Sequence, residues 1–251
     1  MPRKISWKKI SGLIVVAVVA AFLVNNYIHQ KYPAPVSTPT NDNSVETPTV
    51  GSNPSPADSW PTSLLLPVPF TPQAPTANWD TLHNEACEEA SAIMASEYFK
   101  GNRQITLAPS FVEDQISLLT KWQDDNFGYH LDTTSAETAE MIEKVYGLKT
   151  KLIENFTQDQ LKDELNKKHV ILISEYGRAL NNPNYKSPGP IHHMLVVRGY
   201  TKNNFVTNDS GTRNGLNYAY SFNTLYSAAA DWDQQTQNVD QSKKIAIIVS
   251  E

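Results

Sequence analysis

The chain predicts an α+β domain, because its helical signals come first and its strand signals come later, without the regular alternation that builds parallel βαβ units. Two further observations frame that domain. A Pro/Ser/Thr/Asn-rich segment separates it from the N-terminus, and a single cysteine, Cys87, stands where a polar stretch turns into a helix.

The helices are read from periodicity and caps. Ala86, Ala90, Ile93, Met94 and Phe99 fall on one face of a helix that opens at Cys87, and Lys100-Gly101-Asn102 ends it. Three more helices are announced by capping boxes: Ser110 with Glu113, Thr134 with Glu137, and Thr157 with Gln160. Val170 to Ser174, Met194 to Gly199, Phe205 to Asn208 and Ile245 to Val249 are short β-branched runs. They read as strands of a largely antiparallel sheet.

The N-terminus carries Arg3, Lys4, Lys8 and Lys9 without an acid, followed by an apolar stretch from Ile10 to Ile28 whose core, Leu13 to Val24, is unbroken. Positive charge stays on the cytoplasmic side, so everything downstream is expected outside the cytoplasm. Ala20-Ala21 is a poor cleavage site inside a continuing apolar run, which favours an uncleaved single-pass anchor over a removed signal peptide. The organisation expected is a basic N-terminus (1–9), a membrane anchor (10–28), a disordered linker (29–63) and a folded domain (64–251). The linker holds Pro33, Pro35, Pro39, Pro48, Pro54, Pro56 and Pro61 and too little apolar surface to fold, which suits a semi-rigid stalk.

Charge excludes some partners. The first 31 residues hold five basic residues, leaving 16 of the 21 for the rest of the chain against all 26 acids. Such an acidic domain disfavours nucleic acid and anionic lipid. One cysteine in an exported domain allows no internal disulfide, so the thiol serves packing or chemistry.

A thiol at a helix start is favoured as thiolate by the unpaired N–H groups and the helix dipole. The run from His193 through Asp209 reads as a hairpin turning at Thr201 to Asn204. Facing residues then sum to about 403, which brings Asp209 beside His193 and leaves one imidazole nitrogen for a thiol. Successive strand residues point to opposite faces, so only one of His192 and His193 can meet Asp209. No spacing among His83, His130, His192 and His193 suggests a metal site, and no cofactor is expected.

Three segments in order, Leu66-Pro-Val-Pro-Phe-Thr-Pro-Gln73, the helix opening at Cys87, and His193-Met-Leu-Val-Val-Arg-Gly-Tyr200 followed by Asn208-Asp209, resemble the bacteriocin-processing-peptidase-like cysteine peptidases of the papain clan. The resemblance spans nearly all of the chain from Leu64. It implies a papain-like fold in which a helical part carrying the cysteine packs on an antiparallel sheet carrying the histidine and aspartate. It also implies Cys87 as nucleophile, His193 as base, Asp209 as its orienter and Gln73 as oxyanion donor, acting on polypeptide as a monomeric domain. Where that family continues with Gly-Pro after the cysteine, this chain has Glu88 and Glu89, read here as solvated first-turn acids. A cell-wall peptide hydrolase or amidase and a silent peptide-binding module remain alternatives. The long connection from Glu175 to His192 is expected to wall a substrate cleft.

Overall fold

The computed structural model describes residues 60–251, so the expected basic N-terminus, anchor and most of the linker lie outside the described residues. Among the described residues, no helix is long and apolar enough to cross a membrane.

A short strand, β1 (Leu64–Leu65), leads into a one-turn helix, α1 (Thr81–Asn84), and then into α2 (Cys87–Phe99), α3 (Pro109–Asn126) and α4 (Ser135–Tyr146). The remaining elements are β2 (Lys149–Glu154), α5 (Gln158–Asn166), β3 (Val170–Tyr176), β4 (His192–Tyr200), β5 (Asn204–Asn208), β6 (Leu216–Ser221), α6 (Phe222–Ala228), β7 (Asp231–Asp233), β8 (Asn238–Asp240) and β9 (Ile245–Ser250). The main sheet runs β2-β9-β3-β4-β5-β6 with every pairing antiparallel, and β1 adds to the far end of β4. β7 and β8 form a separate ribbon.

The capping boxes at Thr134 and Thr157 both close, each with a side chain on the N3 backbone and the N3 acid or amide returning the bond. The one expected at Ser110 does not. α3 starts earlier, with Ala108 as N-cap and Pro109 in the first turn, where proline's fixed φ is already helical and its missing N–H costs nothing.

The larger correction concerns α2. Its apolar spacing predicts one buried face, yet Cys87 through Tyr98 are all buried. It is enclosed by α3, α4 and the β4 face of the sheet, and Ser91 Oγ donates to the Met194 carbonyl of β4. Small residues at Ala90, Ser91, Ala92 and Ala95 allow those neighbours to close around it. Glu88 and Glu89, expected in solvent, are each only 1% exposed.

The strands missed from sequence are explained by their positions. β2 is the sheet edge and carries Lys149, Lys151 and Glu154, charges that blunt an edge against further pairing. The hairpin of β4 and β5 turns over Thr201 to Asn203 as expected, but its register is not constant. Facing residues sum to 404 at Val196↔Asn208 and to 405 at Tyr200↔Phe205, because a bulge intervenes between Val197 and Gly199. The ladder ends at Val196↔Asn208, so Asp209 stands just beyond the paired strand.

Candidate active site

Asp209 is the centre of a dense hydrogen-bond set. Its Oδ1 lies 2.9 Å from His193 Nε2, and its Oδ2 accepts from Tyr185 Oη at 2.7 Å, Tyr220 Oη at 2.7 Å and Asn182 Nδ2 at 3.0 Å. The Gly211 N–H also donates to Oδ1, at 3.1 Å. Burial would raise this carboxyl, but His193 and the two tyrosine hydroxyls outweigh it and hold it below its usual range. The backbone makes room for the arrangement at two glycines. A Cβ on Gly215 would stand 1.7 Å from the Asp209 carbonyl oxygen, and one on Gly211 would stand 2.9 Å from His193 Cε1.

With Nε2 engaged by Asp209, His193 Nδ1 has no hydrogen-bond partner among the described residues. Cys87 sits next to the same strand: its Sγ accepts from the backbone N–H of Met194, the residue after His193, at 3.2 Å. Here β5 has already left β4, so the thiol takes the place of a strand partner at the sheet edge. The thiol proton, however, points to Glu88 Oε2 at 3.0 Å, not to His193. Burial first, and Glu88 second, push the thiol well above its usual value.

His192 looks the other way, as the two-residue period of a strand requires. Its Nε2 meets Ser174 Oγ at 2.8 Å, and its Nδ1 faces Asp132 Oδ1 at 2.9 Å and Glu88 Oε1 at 3.4 Å. Burial would lower this imidazole, but Glu88 and Asp132 prevail and hold it raised. Ligand atoms of Cys87, Glu88 and His192 all lie within 4.8 Å of one another, a cluster that no sequence spacing among the histidines revealed. Glu85 lies nearby, and burial, then Asp132 and Glu88, raise it to about 7.

Gln73 lines the cleft, but both of its amide N–H groups are engaged: Nε2 donates to the carbonyls of His83 and Asn84, each at 2.9 Å. Its backbone N–H binds the Ser210 carbonyl at 2.9 Å, tying the segment before α1 to the residue after Asp209.

A cleft of about 790 Å³ reaches both histidines, whereas Cys87 and Glu88 are buried behind its lining. Gln73, Trp79, Glu85, Asp132, His192, His193 and Trp232 line it. Tyr185 through Ile191 of the long connection line it too, so that segment does form a wall. The same segment also holds the aspartate through Asn182 and Tyr185. Sequence reasoning missed Asp132, Ser174, Asn182, Tyr185 and Tyr220 as members of the site. The length of the 175–192 connection was a signal for Asn182 and Tyr185. Nothing local marks Asp132, 60 residues before His192.

No curated protein matches this chain. Among solved structures, one described as a proposed C39-like peptidase from Bacillus anthracis is similar, with a TM-score of 0.48 and 15% sequence identity over 75% of this chain and 98% of that one. The Peptidase_C39 like family matches residues 65–239, which take in α1 through β7 and every side chain of the site described above. With its helical part packed on an antiparallel sheet in a papain-like α+β fold, the chain belongs to the Peptidase_C39 like family.

Proposed function

We propose that this protein is a cysteine peptidase that hydrolyses peptide bonds of polypeptide substrates through Cys87, His193 and Asp209. The observation that carries this reading is the His193–Asp209 pair at 2.9 Å, with the second imidazole nitrogen unengaged and the Cys87 sulfur against the adjoining peptide. In the reaction, His193 takes the Cys87 proton and the thiolate attacks the substrate carbonyl. Asp209 holds the imidazole tautomer and stabilises the imidazolium, and water then hydrolyses the thioester.

On this reading the thiol must leave Glu88 and engage His193 when substrate is bound. The Cys87 N–H, first in its helix and without a partner one turn back, is a ready oxyanion donor. Gln73 serves as the second donor by exchanging one of its two carbonyl partners for the oxyanion.

Residues 10–28 would anchor the domain to the membrane and 29–63 would hold it off the outer surface. No cofactor takes part. The test is a peptide-library cleavage assay on the intact chain and its Cys87→Ser variant. Cleavage that vanishes in the variant supports the reading, and equal cleavage in both removes Cys87 from the mechanism.

One observation favours a second reading. A thiol that is buried, raised and bonded to a carboxylate suits a silent peptide-binding cleft. Iodoacetamide labelling of Cys87 at pH 7 with a peptide in the cleft decides between them. A peptidase gains reactivity when the cleft is filled by a substrate-like peptide, and a binding module does not.

A further inference from the structure

On the α2 side of β4, three donors converge on one small space, Cys87 Sγ, a Glu88 carboxylate oxygen and a His192 ring nitrogen, with Asp132 beside the histidine. Cys87, Glu88 and His192 are 2%, 1% and 4% exposed, and their ligand atoms already lie within 4.8 Å of one another. Asp132 Oδ1 is 2.9 Å from His192 Nδ1. His192 and Glu88 are oriented from behind. Ser174 Oγ engages His192 Nε2 at 2.8 Å, and the Thr133 N–H fixes Glu88 Oε1 at 2.8 Å.

This grouping calls for positive charge. When His192 Nε2–H donates to Ser174, the Nδ1 lone pair points at two carboxylates, so three acceptors face one another. Among the described residues, no lysine or arginine forms an ion pair with Glu88 or Asp132. Either protons or a metal ion must fill the space. Sulfur, imidazole nitrogen and carboxylate oxygen together are the donor set of zinc, whose bonds of about 2.0–2.3 Å place tetrahedral ligands roughly 3.3–3.8 Å apart. Closing the cluster by about 1 Å reaches that spacing.

We propose that Cys87, Glu88 and His192 form a binding site for Zn²⁺ or a similar divalent transition metal, with Asp132 as a neighbouring carboxylate beside His192 and the fourth position left to solvent. The ion displaces the thiol proton to solvent and forms a sulfur–metal bond in its place, so no redox partner is needed. Ser174 and Thr133 act as positioning residues behind the ligands. The site takes the nucleophile out of use, and on the peptidase reading above it makes the enzyme zinc-inhibited. His193 and Asp209 lie outside it.

The test uses the metal-stripped full chain with ZnCl₂ or CoCl₂ alone. One equivalent of Co²⁺ should give a near-ultraviolet thiolate-to-cobalt charge-transfer band, and one equivalent of Zn²⁺ should abolish that band and block alkylation of Cys87. Cys87→Ser and His192→Ala should lose the band. The isosteric Glu88→Gln and Asp132→Asn variants, which preserve shape, should weaken binding about 10- to 100-fold. His193→Ala should bind as the natural protein does. Absence of the band in the natural protein, or its persistence in His192→Ala or undiminished in Glu88→Gln, overturns the site. A chain that binds cobalt but cleaves no peptide upholds the site and refutes the peptidase reading instead. A chain that cleaves peptides with zinc present at one equivalent, unprotected at Cys87, does the reverse.

Discussion

His192 and His193 are neighbours in sequence and occupy opposite sides of β4, and their surroundings differ in kind. His193 is matched to one carboxylate that is itself saturated by two tyrosines, an asparagine and a backbone N–H. That carboxylate is held ionised, and the ring keeps one nitrogen available. His192 faces two carboxylates and a thiol that share few other donors. The first environment stabilises an imidazolium as it forms during a reaction. In the second, the two carboxylates hold the imidazole itself raised. A buried histidine with an acid beside it is therefore no index of catalysis, because the number of other donors on the acid decides what the pair can do.

The sharpest way to break this comparison is to exchange the two. If the proposed triad acts as a unit, His193→Ala should lower kcat/KM for peptide cleavage by about 10³-fold or more, whereas His192→Ala should cost under about 10-fold. The opposite ranking would move the thiol's partner to His192. Gly215→Ala should approach the larger effect without touching any reacting group, because its Cβ would drive the Asp209 backbone away. A crystal structure or the residual activity of that variant reports it.

Glu88→Gln sharpens the other side. Burial is the main cause of the raised thiol and Glu88 the next, so removing the carboxylate charge lowers the thiol toward its ordinary value without reaching it. Alkylation of Cys87 at pH 7 in metal-free protein should speed up by several-fold to about 10-fold, one unit of pKa being a factor of ten in thiolate. An unchanged rate would show that Glu88 does not govern the thiol.

Tyr185→Phe removes one hydroxyl from Asp209. The aspartate is depressed when folded, so its stabilisation is present above the unfolded value of 3.8 and lost as pH falls through the folded value. Losing a donor raises that folded value, and acid unfolding should begin at higher pH than in the natural protein. The effect expected from one charge-assisted hydrogen bond is about 1.5–3 kcal/mol. The same contact changes the meaning of loop replacement. Exchanging Asn181 to Ser187 for a Gly-Ser linker removes both Asn182 and Tyr185 from Asp209, so it should lower kcat as well as raise KM.

The smallest effect belongs to Glu89. Burial, then Glu88, raises it from 4.5 to about 8, the reverse of the usual carboxylate case. The folded state then binds the extra proton, and stability falls as pH rises between those two values. Glu89→Gln should flatten the decline of Tm across that range by a few degrees. An unaltered slope would assign the decline to Glu85 or to the buried Glu175 instead.

The sequence determined a good deal without help. The caps at Thr134 and Thr157, the helix beginning at Cys87 and four of the strands follow from spacing, because capping and periodicity act over a few residues. The two-residue period of a strand alone separates His192 from His193, and chain order suffices to suggest the segments that make up the cleft. Tertiary structure decided the rest. Periodicity says which face of α2 is apolar, but three neighbours closing around it decided that Glu88 and Glu89 are buried. The bulge between Val197 and Gly199 set the end of the β4–β5 ladder. Asp132 meets His192 across 60 residues, and Tyr220 meets Asp209 across a hairpin. Such contacts depend on where whole elements pack, and a local pattern encodes a residue's face and not its partner.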